Sequence, residues 1–200
     1  MKLIFQEQII ELDQMFSVEN VIESINKLLG NDFYFSHFLV DGLEVTEEPE
    51  VFLTKEVGNI EEILVIAIPA KEFINNLMLS IEEYVERAIP YVVELFDGFY
   101  NNPTKDEWGS LAELFEGIQW LSIVIDSVEV SVIRPESWKE ISTTTVEVQG
   151  ELESLEEALE NNDTILIGDI LQYEILPVLE KIKSLVTKSI DSEGERHDLS

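Results

Sequence analysis

The sequence contains no cysteine, and only two of its 200 residues are histidine. The absence of cysteine excludes disulfide bonds, thiol nucleophiles and thiolate metal sites. A catalytic triad or a histidine metal site needs more than His37, in a predicted strand, and His197, in the polar C-terminal stretch. Glycine-rich phosphate loops, a Walker lysine and the dinucleotide-binding fingerprint are also missing. We therefore predict no catalytic residues, no metal ligands and no cofactor.

Long apolar runs are missing as well. No window of about 18 uncharged apolar residues occurs, which predicts that no helix spans a membrane. The N-terminus, MKLIFQEQIIELDQ, reaches a carboxylate at Glu7 and does not have the pattern of a signal peptide. We expect a soluble, cytoplasmic protein. With 45% hydrophobic residues, the chain has enough apolar surface for one moderate domain or two small ones.

Basic residues are scarce: 12 lysines and arginines face 42 acidic residues, giving a net charge of −30. Residues 1–69 contribute −11, residues 70–149 contribute −10 and residues 150–200 contribute −9, so the charge is spread evenly. Such a field repels nucleic acid and anionic membranes and attracts basic partners. The alternative is that the charge only keeps the surface solvated.

The first 69 residues alternate between strand and helix patterns. KLIF and QIIEL predict one long strand or a tight hairpin, and SVENVIESINKLLG predicts a helix capped by Ser17 and ended by Gly30. DFYFSHFLVDGLEV predicts a hairpin that turns at Asp41 and Gly42. After a loop, EEILVIAI predicts a strand closed by Pro69.

This order of elements resembles a ubiquitin-like β-grasp unit, in which a sheet wraps one helix. The resemblance covers residues 1–69 and implies nothing about conjugation, because the diglycine tail is missing. A small α/β sandwich of another topology stays open.

From Ala70 onwards the apolar period changes from two residues to about 3.6, which indicates helices. We predict four helices. The first three cover about residues 70–100, 105–133 and 134–163, and the fourth follows the NND break at 161–163. The predicted fold is therefore α+β: a small β-grasp-like domain, 1–69, an antiparallel four-helix bundle, 70–190, and a flexible polar tail, 191–200.

The third helix contains TTTVEV, a strand-like stretch, but its apolar positions keep a strict heptad spacing. These positions are Trp138, Ile141, Thr145, Val148, Leu152, Leu155 and Leu159.

Prolines interrupt the first and last predicted helices. Pro90 and Pro177 each remove one backbone hydrogen bond, so both helices are expected to bend, and the bends let them curve together around the bundle. The alternative is that the freed carbonyls line a pocket. The inner face predicted for the last helix consists of Leu171, Ile175, Val178, Ile182 and Leu185.

Two acidic runs are candidate partner-binding sites, although runs of charge are usually only solvated surface. The first lies in TEEPE and the second lies on the third predicted helix. The candidate residues are Glu47, Glu48, Glu50, Glu151, Glu153, Glu156, Glu157 and Glu160.

Three stretches, FINNLMLSIEEYVERAIP, FEGIQWL and NNDTILIGDILQYEILPVLE, are similar to an uncharacterised protein family of Gram-positive bacteria. The similarity spans much of residues 72–180. It implies a helical domain and carries no activity, ligand or partner.

The sequence therefore predicts a non-enzymatic interaction or adaptor protein whose partner is an unidentified, basic protein, with no direct binding to nucleic acid or membranes. Two alternatives stay open. One is an inhibitor that mimics nucleic acid and occupies a basic DNA- or RNA-binding protein; the other is an enzyme with a carboxylate metal site. Assembly into a homo-oligomer is also open.

Overall fold

The computed structural model describes residues 1–12, 17–45, 48–56 and 59–196, and the chain divides into two compact units. The N-terminal unit comprises residues 1–73, and the helical unit comprises residues 74–200. The α+β fold class is confirmed, because a small mixed sheet precedes a helical C-terminal part.

Five strands form one mixed sheet in the N-terminal unit. They are β1 (Lys2–Phe5), β2 (Gln8–Glu11), β3 (Phe33–Val40), β4 (Leu43–Glu44) and β5 (Glu62–Pro69). Their order across the sheet is β2-β1-β5-β3-β4. β1 and β5 are parallel, and the other neighbouring pairs are antiparallel. The N-terminal strand patterns therefore form a tight hairpin.

Helix α1 (Val18–Leu29) packs against one face of this sheet. Its buried residues Val21, Ile25 and Leu29 share a core with Leu3 and Ile63 of the sheet. This arrangement is the predicted β-grasp-like architecture, whereas a relationship to ubiquitin stays a prediction.

The local signals around α1 and the second hairpin are confirmed. The Ser17 side chain accepts a hydrogen bond from the Asn20 amide, and the Asn20 side chain accepts one from the Ser17 amide. Asp41 and Gly42 have φ angles of 49° and 83°, and positive values at both positions are typical of a type I′ turn.

A second helix, α2 (Pro49–Glu56), lies where the sequence indicated only a loop. Leu53 is the one buried residue of this helix. A helix with a single buried residue has no apolar stripe, so the periodicity that revealed the longer helices is missing here.

The helical unit contains four antiparallel helical segments. Their elements are α3 (Ala70–Tyr100), α4 (Lys105–Glu129), α5 (Trp138–Glu160), α6 (Thr164–Ile170), a π-helical turn (Leu171–Ile175) and α7 (Leu176–Glu193). Between neighbouring segments, residues later in one segment contact residues earlier in the other, which shows that the segments are antiparallel. The pairs are Tyr84–Trp120 and Phe99–Trp108 for α3 and α4, Ser122–Gln149 and Glu129–Trp138 for α4 and α5, and Glu86–Lys183 and Tyr100–Asp169 for α3 and the last segment. The four segments are α3, α4, α5 and the run from α6 to α7.

The two prolines have different surroundings. Pro90 lies inside α3, which continues to Tyr100. Pro177 lies at the start of α7, directly after the π-helical turn. A proline ring collides with the carbonyl four residues earlier in an α-helix, and the wider π-helical turn relieves this crowding.

The predicted inner face of the last helix is partly wrong. Leu179 and Val186 are buried, whereas Val178 and Leu185 are only half-buried. After Ile175 the buried face continues through Leu179, Ile182 and Val186, so two of the five predicted positions are each one residue too early. The predicted positions Leu171, Ile175 and Ile182 are buried as expected.

Candidate interaction surface

Four glutamates line one exposed face of α5 near its C-terminal end. Glu153, Glu156, Glu157 and Glu160 are all exposed, and their spacing places them on neighbouring positions over about two helical turns. We refer to these four residues as the acidic strip. Glu151, which was predicted to belong with them, is half-buried and lies off this face because it precedes Glu153 by only two residues.

The acidic strip lies where a helix accommodates negative charge least well. The last turn of α5 contains no basic residue, and the free carbonyls at a helix C-terminus carry partial negative charge. Glu153–Glu157 and Glu156–Glu160 are like-charged pairs four residues apart, and each such pair is unfavourable by about 0.2–0.5 kcal/mol. Among the ion pairs of the described residues, none includes a member of the strip.

The other predicted carboxylates lie in the N-terminal unit. Glu47 is outside the described residues. Glu48 and Glu50 are exposed, and Glu50 lies in the first turn of α2. Negative charge stabilises that end of a helix, so α2 itself accounts for an acidic residue there.

Among the described residues, Glu82 is the one buried carboxylate, and only 8% of its surface is exposed. The two carboxylate oxygens accept hydrogen bonds from Arg196 at 2.6 and 3.0 Å, and Thr187 donates a third at 2.6 Å. The hydrogen bond from Arg196 is the main cause that lowers the pKa of Glu82. The charge is thus fully paired, which indicates a structural contact between α3 and the end of the described chain.

A second polar cluster lies beside the π-helical turn. The Tyr100 hydroxyl is 2.7 Å from Oδ1 of Asp169 and 3.0 Å from Oε1 of Gln172. Burial, followed by the hydrogen bond to Asp169, raises the pKa of Tyr100 to about 12. A tyrosine with this pKa keeps its proton at neutral pH, so the hydroxyl acts as a hydrogen-bond donor.

Groups that carry out chemistry are sparse in the described parts of the chain. There, no three histidine, aspartate or glutamate side chains converge as a metal site would require. His37 lies in β3, and its Nδ1 is 3.1 Å from the Ser36 hydroxyl. His197 is outside the described residues. Across the same residues, no helix has both the length and the apolar character to cross a membrane.

One exposed apolar residue on an edge of the sheet was not predicted from the sequence. β2 is the terminal strand on one side, and 61% of the Ile9 surface is exposed. The strand pattern of QIIEL already allowed this prediction. In an N-terminal hairpin, if the first strand pairs with a third strand on its free side, the second strand is left at the edge of the sheet.

Residues 76–185 match a family described as a domain of unknown function, DUF8042. This match covers more than half of the 200 residues. The chain belongs to the DUF8042 family. No curated protein and no solved structure gave a match. The matched DUF8042 region runs from α3 into α7 and contains the acidic strip, whereas a Gram-positive origin stays a prediction.

Proposed function

We propose that this DUF8042 protein is a non-enzymatic interaction or adaptor protein that binds a basic protein partner. The acidic strip carries this proposal. It combines four exposed carboxylates, no basic neighbour in the last turn and an unfavourable position on the helix dipole. A surface that lowers the stability of its own helix is typical of a functional site, where stability is given up for binding.

The proposed partner presents lysines or arginines to the strip. Binding would remove the like-charge repulsion between neighbouring glutamates and place positive charge beside the C-terminal carbonyls of α5. The same change that stabilises the free protein should therefore weaken binding. We also propose that the protein is cytoplasmic, a location with which the absence of cysteine is compatible.

The triple variant Glu156→Gln, Glu157→Gln, Glu160→Gln tests this proposal. We expect it to stabilise the helical unit by about 1 kcal/mol, since three unfavourable charges leave the C-terminal part of α5. The matched control is Glu140→Gln, because Glu140 is an exposed residue in the first turn of the same helix. There a negative charge is favourable, so the control should be neutral or slightly destabilising.

Binding is measured by affinity capture from native lysate at low and high salt, with mass spectrometry of the retained proteins. The proposal expects a basic protein that the wild type and Glu140→Gln retain and the triple variant loses. A set of captured proteins that is identical for all three would contradict it.

Mimicry of nucleic acid is the second candidate function. The row of carboxylates along α5 favours it, since a mimic must present negative charges in line on one face. The partner would then be a nucleic-acid-binding protein, and added duplex DNA or RNA would displace it. Capture that is insensitive to both competitors would exclude this alternative and leave the first proposal intact.

A further inference from the structure

The outer edge of β2 presents free backbone groups. Met1 and Leu12 exchange both of their backbone hydrogen bonds, at 3.2 and 2.9 Å. Hydrogen-bonded pairs alternate with non-bonded pairs along an antiparallel ladder, so Leu3 pairs through hydrogen bonds with Ile10, whereas Ile4 and Ile9 form a non-bonded pair. The N–H and C=O groups of Ile9 therefore point away from β1. No other strand of the described residues pairs with this edge.

An apolar row crosses the sheet and ends at this edge. The strand register places Ile9 beside Ile4, Ile4 beside Leu64, and Leu64 beside Leu39. The three inner residues are half-buried, and Ile9 at the end is exposed. Cross-strand neighbours on one face of a sheet are a main source of its stability. A strand added beside β2 would extend the row with an apolar residue opposite Ile9.

Carboxylates flank Ile9 along the edge. Glu11 lies two residues further on the same face, and Glu7 lies in the hairpin turn before the strand; both are exposed. A second copy of β2 paired in antiparallel orientation about Ile9 would place Glu11 opposite Glu7, and like charges directly opposite each other are destabilising. A strand with basic residues at these positions would instead be complementary.

We infer that the outer edge of β2 binds an extended segment of a partner protein. This segment has the five-residue pattern basic–any–apolar–any–basic. The segment adds a sixth strand to the sheet, which is a recurring mode of peptide recognition. This inference rests on the proposed function, since it specifies one segment of the basic partner.

The test uses the full chain and a fluorescein-labelled peptide, Gly-Lys-Thr-Ile-Thr-Lys-Gly, with binding followed by fluorescence anisotropy. The decisive variant is Ile9→Pro. It removes the outward N–H but leaves the β1–β2 ladder intact, and proline is tolerated on edge strands at such positions. We expect affinity to fall by at least about tenfold. The control Ile9→Ala keeps the N–H and should lose only the apolar contact, a smaller effect.

Charge exchange tests the flanking contacts separately. Glu11→Lys should weaken binding of the lysine peptide by about fivefold, a typical upper value for an exposed ion pair. The same variant should bind a peptide with glutamate in place of both lysines better than the wild type does. Circular dichroism and thermal unfolding of each variant establish that the fold is retained.

Hydrogen exchange measured by NMR supplies a readout specific to strand addition. The peptide should slow exchange of the Ile9 and Glu11 amides, whereas the Ile10 amide is already bonded to β1 and should change little. Equal binding by wild type and Ile9→Pro would overturn the inference, as would no binding at about 1 mM peptide. Self-association through this edge, abolished by Ile9→Pro and unaffected by the peptide, would identify a second copy as the occupant and also overturn it.

The two proposals can fail independently. If the peptide does not bind but capture of a basic protein still depends on the acidic strip, the inference about β2 is wrong and the proposed function stands. If the peptide binds at β2 and the strip variant captures the same proteins as wild type, the proposal that the acidic strip binds the partner is wrong.

Discussion

Tyr84 and Tyr100 lie on the same helix, α3, and each packs against a glycine of a neighbouring segment. A Cβ atom at Gly117 of α4 would overlap the Tyr84 hydroxyl and ring, and one at Gly168 of α6 would lie 2.7 Å from the Tyr100 ring. In both places the glycine leaves room for an aromatic ring at a distance that no other residue allows.

The two contacts differ in polarity. Burial alone raises the pKa of Tyr84 to about 12. For Tyr100 the same value reflects burial together with the hydrogen bond to Asp169. Tyr84 thus acts mainly by filling space, whereas Tyr100 both fills space and links α3 to the segment before α7. Two tyrosines with similar packing therefore make different interactions, and substitutions can separate the effect of packing from that of the hydrogen bond.

The largest effect is expected for Gly117→Ala. The new methyl group would meet the Tyr84 hydroxyl and ring, and we expect a loss of about 1–3 kcal/mol in the free energy of unfolding. The control Gly109→Ala, in the same helix with nothing within 4 Å, should be stabilising by about 0.5–1 kcal/mol. Denaturation followed by tryptophan fluorescence reports on the helical unit, because all three tryptophans lie in it. Equal effects of the two substitutions would contradict the steric argument.

Gly168→Ala should have a smaller effect of the same sign. The new methyl group would meet the Tyr100 ring at 2.7–3.0 Å, a milder overlap, so we expect a loss of about 1–2 kcal/mol. The same denaturation assay applies. A loss larger than that of Gly117→Ala would show that the Tyr100 contact is the more rigid of the two.

Removal of the hydroxyl groups separates polar contacts from packing. Tyr100→Phe should destabilise the helical unit by about 1–2 kcal/mol, because it removes a hydrogen bond to a carboxylate. Tyr84→Phe keeps the ring against Gly117 and should change stability by less than about 0.5 kcal/mol. Similar losses in the two variants would mean that Tyr84 also has a polar partner.

High pH tests the raised pKa of both tyrosines. Both tyrosines have a folded pKa of about 12, above the ordinary value of 10, so the unfolded chain loses these protons first. Their contribution to stability is complete below pH 10 and is lost as the pH rises towards 12. Thermal unfolding of wild type, Tyr84→Phe and Tyr100→Phe over this range should give a shallower decline for each variant. An unchanged slope for one variant would show that its hydroxyl is well solvated.

Much of the architecture could be predicted from local signals. The helical cap at Ser17, the turn at Asp41 and Gly42 and the helical character of α5 each depend on residues close in sequence, and all three agree with the structure. Of the seven predicted heptad positions, Leu152 and Leu159 are only half-buried. The heptad spacing correctly outweighed the strand propensity of TTTVEV, since burial of an apolar face contributes more than intrinsic preference.

The features that were missed depend on contacts distant in sequence or on small numbers of residues. The single anchor Leu53 gave no periodic signal for α2, and nothing near Gly117 or Gly168 reveals the tyrosines that pack there. The acidic residues of α5 were identified from sequence, but their separation into an exposed face and half-buried Glu151 required the orientation of the helix.

The start of the helical unit contacts the last described part of the chain. The Asn75 side chain donates a hydrogen bond to the Glu195 carbonyl at 2.9 Å and accepts one from the Glu195 amide at 2.8 Å. Adjacent ends allow a domain to be inserted into a loop of another protein, or to be permuted by a short linker that joins its ends. The DUF8042 region thus lies between two adjacent positions, Asn75 and Glu195, that are suited to such rearrangements during evolution and in engineering.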